Sequence, residues 1–123
     1  MTAPVWRAVT SPNVGPASFN QSNALDGITA ASSTDIWAFG SYSLANGSGN
    51  QKTLLMHFDG NAWSIAPSPN PTEGGFPDDI LFAGAALAPD NVWIVGSELE
   101  DTNGVGFATL AIHSTTATGA GSN

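Results

Sequence analysis

The chain has 123 residues and a formal net charge of −8, with Arg7 and Lys52 its only strong bases against ten carboxylates. That balance removes the counterion release that drives nucleic-acid binding and argues equally against an anionic membrane surface. The lack of cysteine excludes disulfides and thiolate metal sites, and no apolar run approaches the roughly 20 residues of a membrane-spanning helix.

Residues 5–9 read as a lone strand that carries Trp6. Four runs with strand chemistry follow at residues 25–31, 36–41, 53–58 and 63–66, and three more at 81–87, 92–97 and 107–113. No stretch sustains a 3.6-residue period, so no helix is expected. Residues 114–123 form a Ser/Thr/Gly/Ala stretch without a core pattern and are expected to be a flexible tail.

The runs repeat. Leu25, Trp37 and His57 return as Leu81, Trp93 and His113 at an offset of 56, inside matching blocks. A third block, Trp6 to Asn13, returns as Trp63 to Asn70 at an offset of 57, and both copies end in Ser-Pro-Asn. Each repeat holds four antiparallel strands, many of them apolar on both faces, which is how a sheet packed between two other sheets reads. The expected fold is therefore all-β, with two four-stranded antiparallel propeller blades per chain. Small residues on the first strand of each repeat (Gly27, Ala30, Ala31; Ala83, Gly84, Ala85, Ala86) suit the crowded centre of such an array.

The strand count leaves two complementary defects. The first strand lacks a sheet of its own, and the last repeat lacks its fourth strand. Residues 1–10 are thus expected to complete a blade of a neighbouring copy, with 11–70 as the first blade and its leading loop, 71–113 as the second blade, and 114–123 as the tail. The expected partner is the chain itself, because two blades alone expose apolar faces and an unpaired edge. A symmetric ring of two-blade chains has an even blade number. Six blades from a trimer are favoured, and eight from a tetramer come second.

The motifs Asp35-Ile-Trp-Ala-Phe-Gly-Ser and Thr53-Leu-Leu-Met-His-Phe-Asp-Gly-Asn-Ala-Trp-Ser, followed by Pro-Ser-Pro-Asn, resemble a tryptophan-rich bacterial propeller repeat, kelch-like in its last hairpin. The resemblance spans residues 5–113 and implies a propeller fold, without implying a ligand. The stretch Asp59-Gly60-Asn61-Ala62-Trp63 approaches the Asp-box of sialidase-type propellers but lacks its spacer between Asp and Gly, so that chemistry is not carried over. Small bacterial lectins built from two-blade chains are similar in architecture only. The low-charge, Gly/Ser/Thr/Asn-rich texture favours a secreted, extracellular bacterial setting.

Candidate binding residues fall into two groups. Trp6, Trp37, Trp63 and Trp93 could stack on sugars at blade junctions, although their recurrence at matched positions favours core packing. Tyr42 joins them at the start of a long loop. Six of the ten carboxylates, Glu73, Asp78, Asp79, Glu98, Glu100 and Asp101, lie on long loops that share one face of a blade. Such loops suit Ca²⁺, which takes about 6–8 oxygen ligands. Solvated surface charge is the preferred reading, so no cofactor is expected and no metal ligands are named.

His57 and His113 are read as buried structural residues whose ring nitrogens tie strand ends together. Asp35 and Asp90 are read as caps of short turns, Asp59-Gly60 as a hairpin, and the Ser-Pro-Asn blocks as chain reversals. Asn20 and Asn46 begin Asn-x-Ser sequons. No catalytic motif is present. The expected function is a non-catalytic scaffold or binding module that assembles into a ring. The alternatives are a carbohydrate-binding lectin with a glycan ligand and a fragment of a larger propeller enzyme.

Overall fold

The computed structural model describes residues 3–15, 22–43, 51–70, 78–99 and 106–115. All of its regular structure is β, and no helix forms among the described residues. The strands are β1 (Ser22–Ser32), β2 (Asp35–Ser43), β3 (Lys52–Phe58), β4 (Trp63–Ile65), β5 (Ile80–Ala88), β6 (Asn91–Leu99) and β7 (Phe107–Thr115). They make two antiparallel sheets in chain order, β1-β2-β3-β4 and β5-β6-β7. All seven strand runs expected after residue 10 are present, most of them extended by one to three residues.

The repeat extends to the hydrogen-bond register. Leu25 lies opposite Gly40, Thr29 opposite Trp37, and Trp37 opposite His57. At an offset of 56, Leu81 lies opposite Gly96, Ala85 opposite Trp93, and Trp93 opposite His113. Both first strands carry irregularities at the same places, Leu25/Gly27 and Ala30/Ser32 in one, Leu81/Ala83 and Ala86/Ala88 in the other. A side chain on Gly40 would run into the carbonyl of Ala24, and one on Gly96 into that of Ile80. These bulges bring two backbones so close that only glycine fits.

Period-two alternation sends side chains of β2 and β3 to opposite faces. Phe39 and Leu55 point toward the second sheet and meet Leu81, Val92, Ile94 and Leu110 in the larger core. Ala38, Leu54 and Met56 occupy the other face, where Val14, Tyr42 and Trp63 pack on them. The Phe39 ring has no solvent exposure. It sits in a slot whose walls are Gly27 of β1 and Gly84 of β5, either of which would strike the ring if it carried a Cβ. The Ala86 amide donates across the gap between the sheets to the Thr29 hydroxyl at 3.0 Å.

Three local readings change. The β1–β2 and β5–β6 turns have two residues each, Ser33-Thr34 and Pro89-Asp90, rather than about four. Residues 5–9 form no strand in the single chain, and Trp6 is 92% exposed. The reason is geometric: the matching segment, β4, exists only because β3 offers it an edge. The last strand runs further than expected, because Ser114 and Thr115 extend β7. Residues 116–123, the middles of the long loops and the two sequons lie outside the described residues.

Replacing Phe39 by alanine removes the group that touches both sheets. We expect Phe39→Ala to cost about 3–5 kcal/mol of unfolding free energy, measured by denaturant titration of tryptophan fluorescence. A loss below about 1 kcal/mol would mean that the sheets are held together elsewhere.

Candidate functional site

The second sheet ends at β7, and among the described residues no strand pairs with its outer edge. In the first sheet the equivalent edge of β3 is covered. Met56, His57 and Phe58 lie opposite Ile65, Ser64 and Trp63 of β4, and the Ala66 amide donates to the Leu55 carbonyl at 2.8 Å. The turn before β4 is held by Asp59, whose carboxylate accepts from the Asn61 and Ala62 amides at 2.9 and 3.0 Å. Those bonds lower the Asp59 pKa, and Gly60 supplies the positive φ of 98° that the turn needs.

Beyond Ala66 the segment cannot continue as an ordinary strand, because Pro67 and Pro69 have no amide to donate. Side chains take over. The Thr53 amide donates to Asn70 Oδ1 at 2.6 Å, and the Thr53 hydroxyl donates to the Pro69 carbonyl at 3.0 Å and shares a hydrogen bond with the Ser68 hydroxyl at 2.7 Å. Asn70 in turn donates to the Ser68 carbonyl at 3.2 Å. Ser68-Pro69-Asn70 is therefore a clasp on the first turn-proximal residues of β3, not a chain reversal. Thr53 is buried under it, whereas its counterpart Thr109 on β7 is exposed.

The two sheets part between their outer strands. The cleft has a volume of about 800 Å³ and is lined by Trp37, Leu55, Val92, Ile94, Leu110 and His113, with Pro67 and Pro69 on its rim. Its walls are mainly apolar, as befits a core only partly closed.

Each sheet carries a tryptophan–histidine pair across its second and third strands. Trp37 and His57 rings lie 4.3 Å apart at 38°, and Trp93 and His113 rings 3.8 Å apart at 14°. His57 Nε2 donates to Asp35 Oδ1 at 2.6 Å, and His113 Nε2 to Asn91 Oδ1 at 2.8 Å. The histidines tie strand ends together as expected, but they are half-buried or exposed rather than buried. Asp35 is a strand residue bonded to His57, and its counterpart is Asn91, not Asp90.

The remaining candidate residues do not converge. Trp63 is half-buried against Phe58, and Tyr42 packs on the Ala38 cluster. Glu98 borders the cleft. Asp79 is fully buried, its amide donating to the Gln51 carbonyl at 2.9 Å, while Gln51 accepts from the Ser41 hydroxyl at 2.7 Å. Asp78 pairs with Gln51 in an isolated bridge, and desolvation, aided by the charge of Asp79, raises its pKa. Glu73, Glu100 and Asp101 lie outside the described residues, and among those described no three His, Asp or Glu side chains gather as metal ligands. No protein-family model, no curated protein and no solved structure matches the chain.

Two stability experiments follow from these contacts. Because folding raises the Asp78 pKa above 3.8, the fold favours its protonated form. That contribution is complete below 3.8 and is lost as pH rises through the folded value. Asp78→Asn should be more stable than the parent chain at pH 7, with the difference vanishing near pH 3; a difference that grows on acidification would contradict the assignment. Asp35→Asn copies the second repeat and should cost less than about 1 kcal/mol at pH 7, whereas Asp35→Ala strands the His57 N–H and should cost about 1–3 kcal/mol. Urea denaturation of both variants measures the pair, and equal losses would rule out the acceptor role.

Proposed function

We propose that the chain is a two-blade unit of a β-propeller, a non-catalytic binding scaffold whose ring is completed by further copies through strand sharing. The observation that carries this reading is an outer edge of β7 that no strand covers among the described residues, together with a tryptophan-bearing N-terminal segment that forms no strand there. The β3–β4 register supplies the pairing: Trp6 opposite Ser114, Arg7 opposite His113, and Ala8 opposite Ile112. This is the arrangement expected of the kelch-like, tryptophan-rich repeat that the sequence resembles.

The exposed faces support the same reading. Phe39 and Leu81 are fully buried where the two sheets meet. Their repeat counterparts are Val95, 44% exposed, and Leu25, 48% exposed. Val95 stands on the free face of the second sheet and Leu25 at that of the first, so one copy can pack on the next as the sheets pack within the chain. Such a contact is head-to-tail and closes into a ring when its rotation divides a full turn. Three copies make six blades, which we favour over eight. Trp93 and His113 then lie at a junction, which leaves the long-loop face for a protein or glycan ligand.

Light scattering on a sizing column tests the assembly. The full chain should run at three or four times its 12.5 kDa, and deletion of residues 1–10 should return it to a monomer or a polydisperse mixture. A folded monomer at 12.5 kDa would overturn the reading; a truncated chain that keeps the multimer's mass would overturn strand sharing.

A further inference from the structure

We propose that Ser11-Pro12-Asn13 is an intersubunit latch that docks on Thr109 of a second copy. The inference rests on the strand-sharing reading and adds to it a specific polar contact beyond the shared strand. Its template is inside the chain, where Ser68-Pro69-Asn70 closes over Thr53 with bonds of 2.6, 2.7 and 3.0 Å. Ser11-Pro12-Asn13 repeats that triplet at an offset of 57, and Thr109 repeats Thr53 at 56.

Placement agrees with sequence. Thr53 and Thr109 hold the same register against their second strands, opposite Ser41 and Ser97. The Thr109 amide therefore points, as the Thr53 amide does, to the outer edge of its sheet. Thr109 is exposed and borders the cleft. At the other end of the chain, Val14 is fixed to the first sheet by a two-way contact with Asn23, its amide donating to Asn23 Oδ1 at 3.0 Å and its carbonyl accepting from Asn23 Nδ2 at 3.4 Å. The triplet thus stands just outside an anchored point, with Asn13 exposed.

The chemistry is a backbone amide received by a carboxamide oxygen, and a hydroxyl that donates to a carbonyl and shares a hydrogen bond with a second hydroxyl. No charge is involved, so the latch should be insensitive to salt. It also selects its partner, because a register slip by one residue would remove Thr109 from Asn13 and turn every strand side chain to the wrong face.

Amide hydrogen exchange by NMR tests it, with mass measured on the same samples. In the full chain Thr109 should be protected, and Asn13→Ala should speed its exchange about tenfold while Thr53 is unchanged. Asn70→Ala should do the reverse without altering the mass. A multimer in which Asn13→Ala leaves Thr109 exchange unchanged would overturn the latch and leave strand sharing standing. A monomeric full chain would overturn both.

Discussion

The packing of the Phe39 ring between Gly27 and Gly84 is the contact on which the two-sheet arrangement depends. The ring is long enough to reach from β2 across the gap, and the slot exists only because neither first strand carries a side chain there. Burying a phenylalanine in a close-fitting site is worth several kcal/mol, while the cost of glycine in a strand is under about 1 kcal/mol each. The balance favours the slot. It also fixes how far apart the sheets stand, which sets the width of the cleft between their outer strands.

From that junction the asymmetry of the chain follows. The two sheets have the same register, the same bulges and the same tryptophan–histidine pair, yet only one has its fourth strand. Each repeat buries a face by stacking on a neighbour, so an array of such units leaves two unsatisfied faces at its ends. Closure into a ring removes both ends at once. In the proposed assembly the chain uses the same geometry within and between copies, and the break in the repeat falls inside a sheet rather than between sheets. A break placed there joins copies by backbone hydrogen bonds as well as by apolar contact.

Much of the fold was legible because it is written in strong, short-range signals. Alternating apolar runs, the paired tryptophans and the Asp59-Gly60 turn located seven strands and their order. What stayed hidden was set by register. Asp35 and Asp90 look equivalent because both are aspartates before a tryptophan strand, but the offset of 56 and the β-pairing both align Asp35 with Asn91. The acceptor is conserved in geometry while its charge is not. The Ser-Pro-Asn clasp was unreadable for a similar reason: Ser, Pro and Asn are turn formers in isolation, and only the neighbouring Thr53 edge reveals that Asn70 replaces a missing strand carbonyl. Asp79 reads as a loop carboxylate by composition, yet it stands one residue ahead of β5 and is buried with the start of that strand.

The internal junction and the proposed intersubunit one are not identical, and the difference orders the steps of assembly. Within the chain the Thr29 hydroxyl accepts the Ala86 amide across the gap. The residue matching Thr29 in the second repeat is Ala85, which has no hydroxyl to offer the next copy. Likewise the place of Phe39 is taken by the smaller Val95, and that of Leu55 by Ala111. Less apolar surface and the loss of that hydrogen bond would make the proposed junction the weaker of the two. The proposed shared strand and latch would compensate for that deficit at the edge of the sheet. In the proposed assembly, folding of the two sheets onto Phe39 would therefore precede association, and the copies would meet as formed units through the surfaces that their own fold leaves uncovered.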